Sequence, residues 1–348
     1  MTLVAVFACT LSLGCASFTA LTRPAGNGYS FSDKVVIAYY YIWFTKGWFN
    51  NTEGNAGNAL ADVHPILGTY DSHNPTVIEE HIKMAKRAKI DAFAVSWWTD
   101  RPGSDKRDEI LDLVFQKAAA QSFKVTIDLE ADGMPVEAIT NCLRYYLSHY
   151  SSHKAVLKVD GRPALLIWGS GNYPPQQWQQ IFDTLEKEGL HAFYLTSGQL
   201  NPRYLGPFTA LEQYTSVDVN DKDLPTLYQW ARKMVDQYNK THTDKPARWH
   251  ATIMPGFDER GIPGREEGPG GAGWKNRDHG KYYRMTFDAA LSSNPDWLHI
   301  TSFNELAEHT HIEPTREFGW FYIDMTARLV DEFKRTRVPA TVGGIPRR

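Results

Sequence analysis

The stretch Asn74-Pro75-Thr76-Val77-Ile78-Glu79-Glu80-His81-Ile82, running on past Ala85 and followed by Ala92-Phe93-Ala94-Val95-Ser96-Trp97-Trp98, decides the fold. Asn74 suits an N-cap, and Pro75 suits the first helical position, where no backbone N–H is needed. Glu79 and Glu80 favour the positive end of the helix dipole. Ile78, Ile82 and Ala85 fall on one face at helical spacing, so a helix is expected over Pro75 to Lys89. The run Ala92 to Trp98 is almost continuously apolar, as in a parallel strand buried on both faces. The alternation recurs along the chain. Strands are expected at Val35 to Phe44, Lys124 to Glu130, Ala164 to Gly169, Ala192 to Ser197, Ala210 to Thr215, His250 to Pro255 and Trp297 to Phe303. Helices are expected at Asp105 to Ser122, Pro135 to Ser152, Pro175 to Glu188, Leu224 to Asn239, Tyr282 to Ser292 and Arg316 to Lys334. Eight strands alternating with helices read as an α/β fold, a single-domain (β/α)8 TIM barrel. An open doubly wound sheet is the rival, and it lacks the Gly-rich phosphate loop after a strand. Gly264 to Gly273 has no Lys-Ser/Thr ending and reads as a mobile rim loop.

At 348 residues the chain suits one barrel with long loops. With 37 basic against 40 acidic side chains and no basic stripe, nucleic acid and acidic membrane surfaces are not expected partners. Residues 1–28 read as a signal peptide or unstructured leader, too short and interrupted to span a membrane, and 29–348 as the catalytic domain. The expected location is therefore secreted, periplasmic or in a secretory lumen. Ser12-Leu13-Gly14-Cys15 is an imperfect lipoprotein box, and a lipid anchor at Cys15 ranks below a plain signal peptide or a misplaced start. Cys142 is the one cysteine of the body, so no internal disulfide forms there. Asn50-Asn51-Thr52 and Asn239-Lys240-Thr241 are glycosylation sequons. Aromatic residues make up 13% of the chain, and most should be core, with a minority lining a cleft.

The chemistry concentrates at Trp297-Leu298-His299-Ile300-Thr301-Ser302-Phe303-Asn304-Glu305-Leu306-Ala307-Glu308. A short apolar strand runs into two glutamates three residues apart, where carboxyl groups are costly to bury. Neighbouring carboxyl groups cannot both ionise freely, and the split of their pKa values yields an acid and a base, as glycosidic cleavage needs. The other strand ends add Tyr41 and Trp43, Trp97 and Trp98, Asp128 and Glu130, Trp168, Tyr214 and Asp258. Acids and rings on one face suit a neutral sugar. Taken singly, Glu305 reads as an ion-pair partner, Glu308 as a solvated loop acid and Glu130 as a structural acceptor. Trp97 and Trp98 alternate faces, so at most one reaches the cleft, and Tyr40 and Tyr41 pose the same choice. Histidines such as His81, His149 and His153 are expected to be solvated. Glu305, Glu308, His309 and His311 match no standard metal spacing, so no metal and no cofactor are expected. No Gly-x-Ser-x-Gly elbow is present.

Four segments, Asp71-Ser72-His73-Asn74-Pro75-Thr76-Val77-Ile78-Glu79-Glu80-His81, Val95-Ser96-Trp97-Trp98, Asn276-Arg277-Asp278-His279-Gly280-Lys281-Tyr282-Tyr283 and Ile300-Thr301-Ser302-Phe303-Asn304-Glu305, together resemble glycoside hydrolase family 99. This is the family of endo-α-1,2-mannosidases and endo-α-1,2-mannanases, and the likeness runs from about Val35 to about Asp324. The resemblance implies a retaining, endo-acting enzyme on α-1,2-linked mannose. It makes Glu305 the base that takes a proton from the substrate 2-hydroxyl, which then displaces the leaving group through an anhydro-sugar. It makes Glu308 the general acid and then the base for water. It implies sugar contacts from Glu130, Asn304, Arg277 and Tyr214, and Tyr41 is expected to join them from its place at the end of the first strand. Trp98 stands where mannan-active bacterial members carry Trp and animal enzymes Tyr, which tilts the expectation to mannan. The family's Glu-Trp-His-Glu is here Glu305-Leu306-Ala307-Glu308, and its Trp-Tyr-Gly loop is Trp43-Phe44-Thr45-Lys46, so the chain reads as a divergent member.

The expected substrate is thus a mannan or high-mannose glycan, bound by a monomer. The rivals are a catalytically inactive glycan-binding barrel and a metal-dependent hydrolase using Glu305, Glu308 and His311.

Overall fold

The computed structural model describes residues 28–50, 58–267, 274–336, 341–342 and 345–346. The leader over 1–27, Asn51 and Thr52 of the first sequon, and residues 268–273 of the Gly-rich loop lie outside the described residues. The strands of the main sheet are β1 (Val36–Tyr40), β2 (Ala92–Trp97), β3 (Lys124–Glu130), β4 (Lys158–Val159), β5 (Arg162–Trp168), β6 (Phe193–Ser197), β7 (Ala210–Glu212), β8 (Arg248–Ile253) and β9 (Trp297–Ile300). All but β4 pair in parallel around a ring, which closes where Val36 meets Leu298 and where Asp128 meets Leu166. β4, antiparallel to β5, was hidden from pattern reading by its two-residue length.

The helices are α1 (Lys46–Phe49), α2 (Pro75–Arg87), α3 (Lys106–Ala120), α4 (Val136–Tyr150), α5 (Pro175–Lys187), α6 (Leu224–Asn239), α7 (Lys281–Ser292) and α8 (Phe321–Arg335). Asn74 caps α2 by accepting from Thr76 N at 3.0 Å, and Ile78, Ile82 and Ala85 are buried. The last helix was expected from Arg316. It starts at Phe321 because Gly319, at φ 53°, turns the chain in the left-handed region just before it. Asn239 of the second sequon accepts from Ala247 N at 2.7 Å and donates to Ala247 O at 3.0 Å. The nitrogen a glycan would join is already engaged.

Strand residues alternate between two cores, at the strand period of two. Outward residues such as Ala38, Tyr40, Phe93, Val95, Ile127 and Ile300 pack under the helices. Inward residues such as Ile37, Tyr39, Tyr41, Ala94, Leu166 and Trp297 fill the barrel. The interior also holds polar groups. Asp128 accepts from Ser197 Oγ at 3.1 Å, Glu212 accepts from Gly198 N at 2.8 Å and from Thr252 Oγ1, and His299 Nδ1 lies 3.6 Å from Glu212. This polar layer underlies the C-terminal strand ends, where barrels carry their chemistry.

Candidate active site

The chain leaves β9 through a compact loop held by its own backbone. Thr301 N donates to Ile253 O at 3.0 Å, and the peptide from Thr301 to Ser302 is cis. Phe303 N donates to Tyr39 O at 2.8 Å, Glu305 N to Ser302 Oγ at 2.7 Å, and Asp258 N to Glu308 O at 2.8 Å. These bonds fix both glutamates to β1, β8 and their own loop.

Glu305 is buried, accepting from Ala307 N at 3.1 Å. Burial first, and the charge of Glu308 second, push its pKa well above the ordinary carboxylate range. Glu308 keeps 23% of its side chain exposed and lies 3.2 Å from Arg265 Nη1, which also meets Glu259 at 2.8 Å. Burial and the Glu259 charge push Glu308 up to about 7, with Arg265 pulling it down. Glu130, at the end of β3, accepts from Ser96 Oγ at 2.7 Å. It too is pushed up to about 7 by burial, opposed by the Ser96 bond and aided by the Glu308 charge. The charge of Glu308 thus acts on both Glu305 and Glu130, so carboxyl groups from two distant parts of the chain lie within electrostatic reach of one another.

Two tyrosines complete the group. The hydroxyls of Tyr41 and Tyr214 are hydrogen-bonded, and burial together with Glu305, Glu308 and Glu130 raises both pKa values. They stay neutral donors. Rings form the rim: Trp43 lies 4.6 Å from Tyr41 and 5.8 Å from Trp98, and Trp168 lies 4.7 Å from Tyr214. Trp97 faces the other way and donates to Asp108 at 2.9 Å, so only Trp98 of the pair reaches the rim. Gly198, at φ 72°, gives Trp168 its room, since a Cβ there would come within 2.5 Å of the indole.

Other expected residues sit elsewhere in the design. Asn304 uses its amide on the backbone of Tyr41, accepting from N at 2.8 Å and donating to O at 2.9 Å. It aims Tyr41 rather than offering its amide to a ligand. Arg277 points its guanidinium at the carbonyls of His309 and His311, at 2.9 and 2.7 Å, between the rings of Phe318 and Tyr322. Burial lowers its pKa to about 10, and it braces the far side of the loop. Asp258, expected at a strand end, lies beyond β8 and clamps Arg260 at 2.6 Å. His81 is not solvated. It is fully buried, 3.0 Å from Glu313, with Tyr40 OH on its other nitrogen at 3.0 Å. Among the described residues no three His, Cys, Asp or Glu side chains are grouped to hold a metal, so Glu305, Glu308 and His311 form no such set. His311 is instead buried between Arg277 and Phe318, its pKa lowered by burial and by the Arg277 charge. Sequence reading missed Glu259, Arg265 and Glu313, which lie in irregular loops where no periodicity marks them.

A closed parallel barrel with interacting carboxyl groups and a ring-lined rim at its strand ends has the build of a carbohydrate-active barrel. The chain belongs to glycosyl hydrolase family 99, whose family model matches residues 34–318. It is 27% identical over 294 residues to the glycoprotein endo-alpha-1,2-mannosidase of Rattus norvegicus, covering 76% of this chain and 60% of that protein. It is 24% identical over 337 residues to the glycoprotein endo-alpha-1,2-mannosidase-like protein of Homo sapiens, covering 86% and 71%. The chain thus spans about 60% of the length of the rat relative. Its fold matches the endo-alpha-mannosidase of Bacteroides thetaiotaomicron with a TM-score of 0.70 at 23% identity, over 88% of this chain and 98% of that one. Among the described residues no helix is long and apolar enough to cross a membrane.

Proposed function

We propose that the chain is a retaining endo-glycoside hydrolase that cleaves α-1,2-type mannosidic linkages in mannan or high-mannose glycans. The observation that carries this reading is a buried Glu305 held three residues from Glu308 at the end of β9, where the charge of Glu308 raises the Glu305 pKa and makes it costly for both to ionise together. In this reading Glu305 takes the proton of the substrate 2-hydroxyl. The 2-oxygen then attacks the anomeric carbon, and Glu308 gives its proton to the departing sugar oxygen. The ionised Glu308 next takes a proton from water, the water oxygen opens the anhydro-sugar, and Glu305 returns a proton to the 2-oxygen. Two inversions leave the anomeric configuration retained.

In the ligand-free protein Glu308 is the readier of the two to ionise, being part-exposed and paired with Arg265. The proposed roles need the reverse. A sugar lying over Glu308 removes its water and raises the cost of its charge, which moves a proton onto it. Glu130, Tyr41 and Tyr214 are proposed to hold sugar hydroxyls, with Trp98 stacking on a ring face. Asn304 and Arg277 are proposed as positioning residues.

The experiment is hydrolysis of α-1,2-mannans and high-mannose glycans with identification of the released sugars. Glu305→Gln and Glu308→Gln should each lower kcat by roughly 10²–10⁴-fold while the far-UV spectrum is kept. Release undiminished in both variants would refute the site. Tight glycan binding by the parent chain with no release would favour the glycan-binding barrel instead.

A further inference from the structure

Beyond the carboxyl pocket lies a second concavity that the chemistry does not use. A cavity of about 610 Å³ opens between the β8 loop, the residues before α7 and the start of α8. That lies within the roughly 300–1,000 Å³ of small-molecule sites. Among the described residues six large apolar side chains are exposed, and three of them, Trp274, Phe318 and Phe321, line this cavity. Such clustering is not the scattered exposure normal for a surface. Trp274 is 50% exposed and is backed by Arg260 at 3.7 Å, which holds the indole in place.

Most of the charged side chains around the cavity have partners within the protein. Asp258 pairs with Arg260 at 2.6 Å, Asp278 with Lys281 at 3.0 Å, Glu317 with His64 at 2.6 Å and Lys275 with Asp221 at 2.7 Å. Arg277, which also lines the cavity, has no acidic partner among the described residues; its guanidinium is taken up by the carbonyls of His309 and His311 and by the rings of Phe318 and Tyr322. Exposed rings beside paired charges, with Asn276 and His279 also exposed on the lining, suit a neutral polyhydroxylated ligand. The cavity also shares a wall with the carboxyl pocket. Asp258 and His309 line it, while Asp258 N bonds to the carbonyl of Glu308.

We propose that this cleft is a second carbohydrate-binding site, which takes a stretch of the same neutral polysaccharide at a distance from the bond being cut. The proposal rests on the glycan reading above. Its role is to hold polymer, so it acts on long substrates and not on short ones.

The test uses an α-1,2-branched mannan titrated into the Glu305→Gln protein, and into the same protein with Trp274→Ala and Phe321→Ala added. Both rings are about half exposed, so their removal should leave the fold intact, and turnover of a short α-mannoside by Trp274→Ala/Phe321→Ala in the otherwise unaltered chain checks this. The expected result is polymer affinity weakened by about tenfold, the scale of losing aromatic anchors, with short-substrate kcat/KM unchanged. Equal polymer affinity with and without the two rings overturns the second site alone. A Glu305→Gln protein that takes up no mannan overturns the substrate reading and this site with it.

Discussion

Glu305 and Glu313 come from the same loop, and both are buried, yet they are built for opposite ends. Glu313 lies 3.0 Å from His81 Nε2, accepts from Tyr70 OH at 2.9 Å, and its N–H donates to Phe303 O at 2.8 Å. Glu305 has a backbone N–H at 3.1 Å and, facing it, another acid. Burial is the same for both. Partnering differs, and partnering decides whether a buried carboxyl group is a brace or a reagent. The brace serves the reagent, because Glu313 fastens α2 to the loop through His81, and within that loop Asn304 aims Tyr41 at the acids.

Removing the brace should produce the largest effect on stability. Glu313→Ala leaves His81 and Tyr70 buried without their acceptor, at a cost of about 1–3 kcal/mol for each group left unsatisfied. Urea denaturation of Glu313→Ala against the parent chain measures it. A loss under about 1 kcal/mol, in the range of surface pairs, would erase the contrast between the two glutamates.

A smaller effect separates Glu308 from both. Glu308 faces Glu305, Glu130 and Glu259 as like charges, with the Tyr41 and Tyr214 hydroxyls beside it, and Arg265 is the cation that touches it. Arg265→Gln removes the one influence that favours its charge. The Glu308 titration, near 7 with the arginine present, should then move upward by about one unit, the low end for an adjacent arginine because Arg265 is half exposed. Carboxyl carbon NMR reads this directly. In the pH–rate profile it would show as a basic limb displaced to higher pH, since an acid is lost as pH rises through its pKa. A titration left where it was would mean that Arg265 does not touch Glu308 in solution.

The barrel was legible because its evidence is periodic. Near-continuous apolar strands and capped amphipathic helices such as Asn74 to Arg87 repeat, and each repeat supports the others. That Glu305, Glu308 and Glu130 lie together at the strand ends was legible too, since acids at the ends of buried strands are unusual in any setting. The brace was not. His81 sits on a helix face that reads as ordinary, and its partner Glu313 is 232 positions away in a loop without period. The backbone partners of Asn304 and Arg277 were not legible, because a sequence shows which group can hydrogen-bond and not which backbone it meets. Arg265 and Glu259 belong to the loop after β8, where neither spacing nor composition marks them.

The subtlest expected effect turns on what an ionisable reagent does to the fold that holds it. The folded-state pKa of Glu305 lies above the roughly 4.3 of an unfolded chain. Between those two values the folded protein binds more protons than the unfolded one, so stability falls as pH rises through the window. Glutamine cannot ionise, so Glu305→Gln escapes that loss. The variant should match the parent in Tm near pH 4 and exceed it near pH 8, by about 1 °C or more, since about 1 kcal/mol moves Tm by little more than a degree in a chain of this length. Scanning calorimetry at the two pH values measures the difference. Glu313→Gln should show no such gain at pH 8, because its carboxylate has partners to lose. A chain in which both substitutions shift Tm alike would not distinguish the reagent from the brace, whereas a gain confined to position 305 is the signature of a site held at the expense of stability.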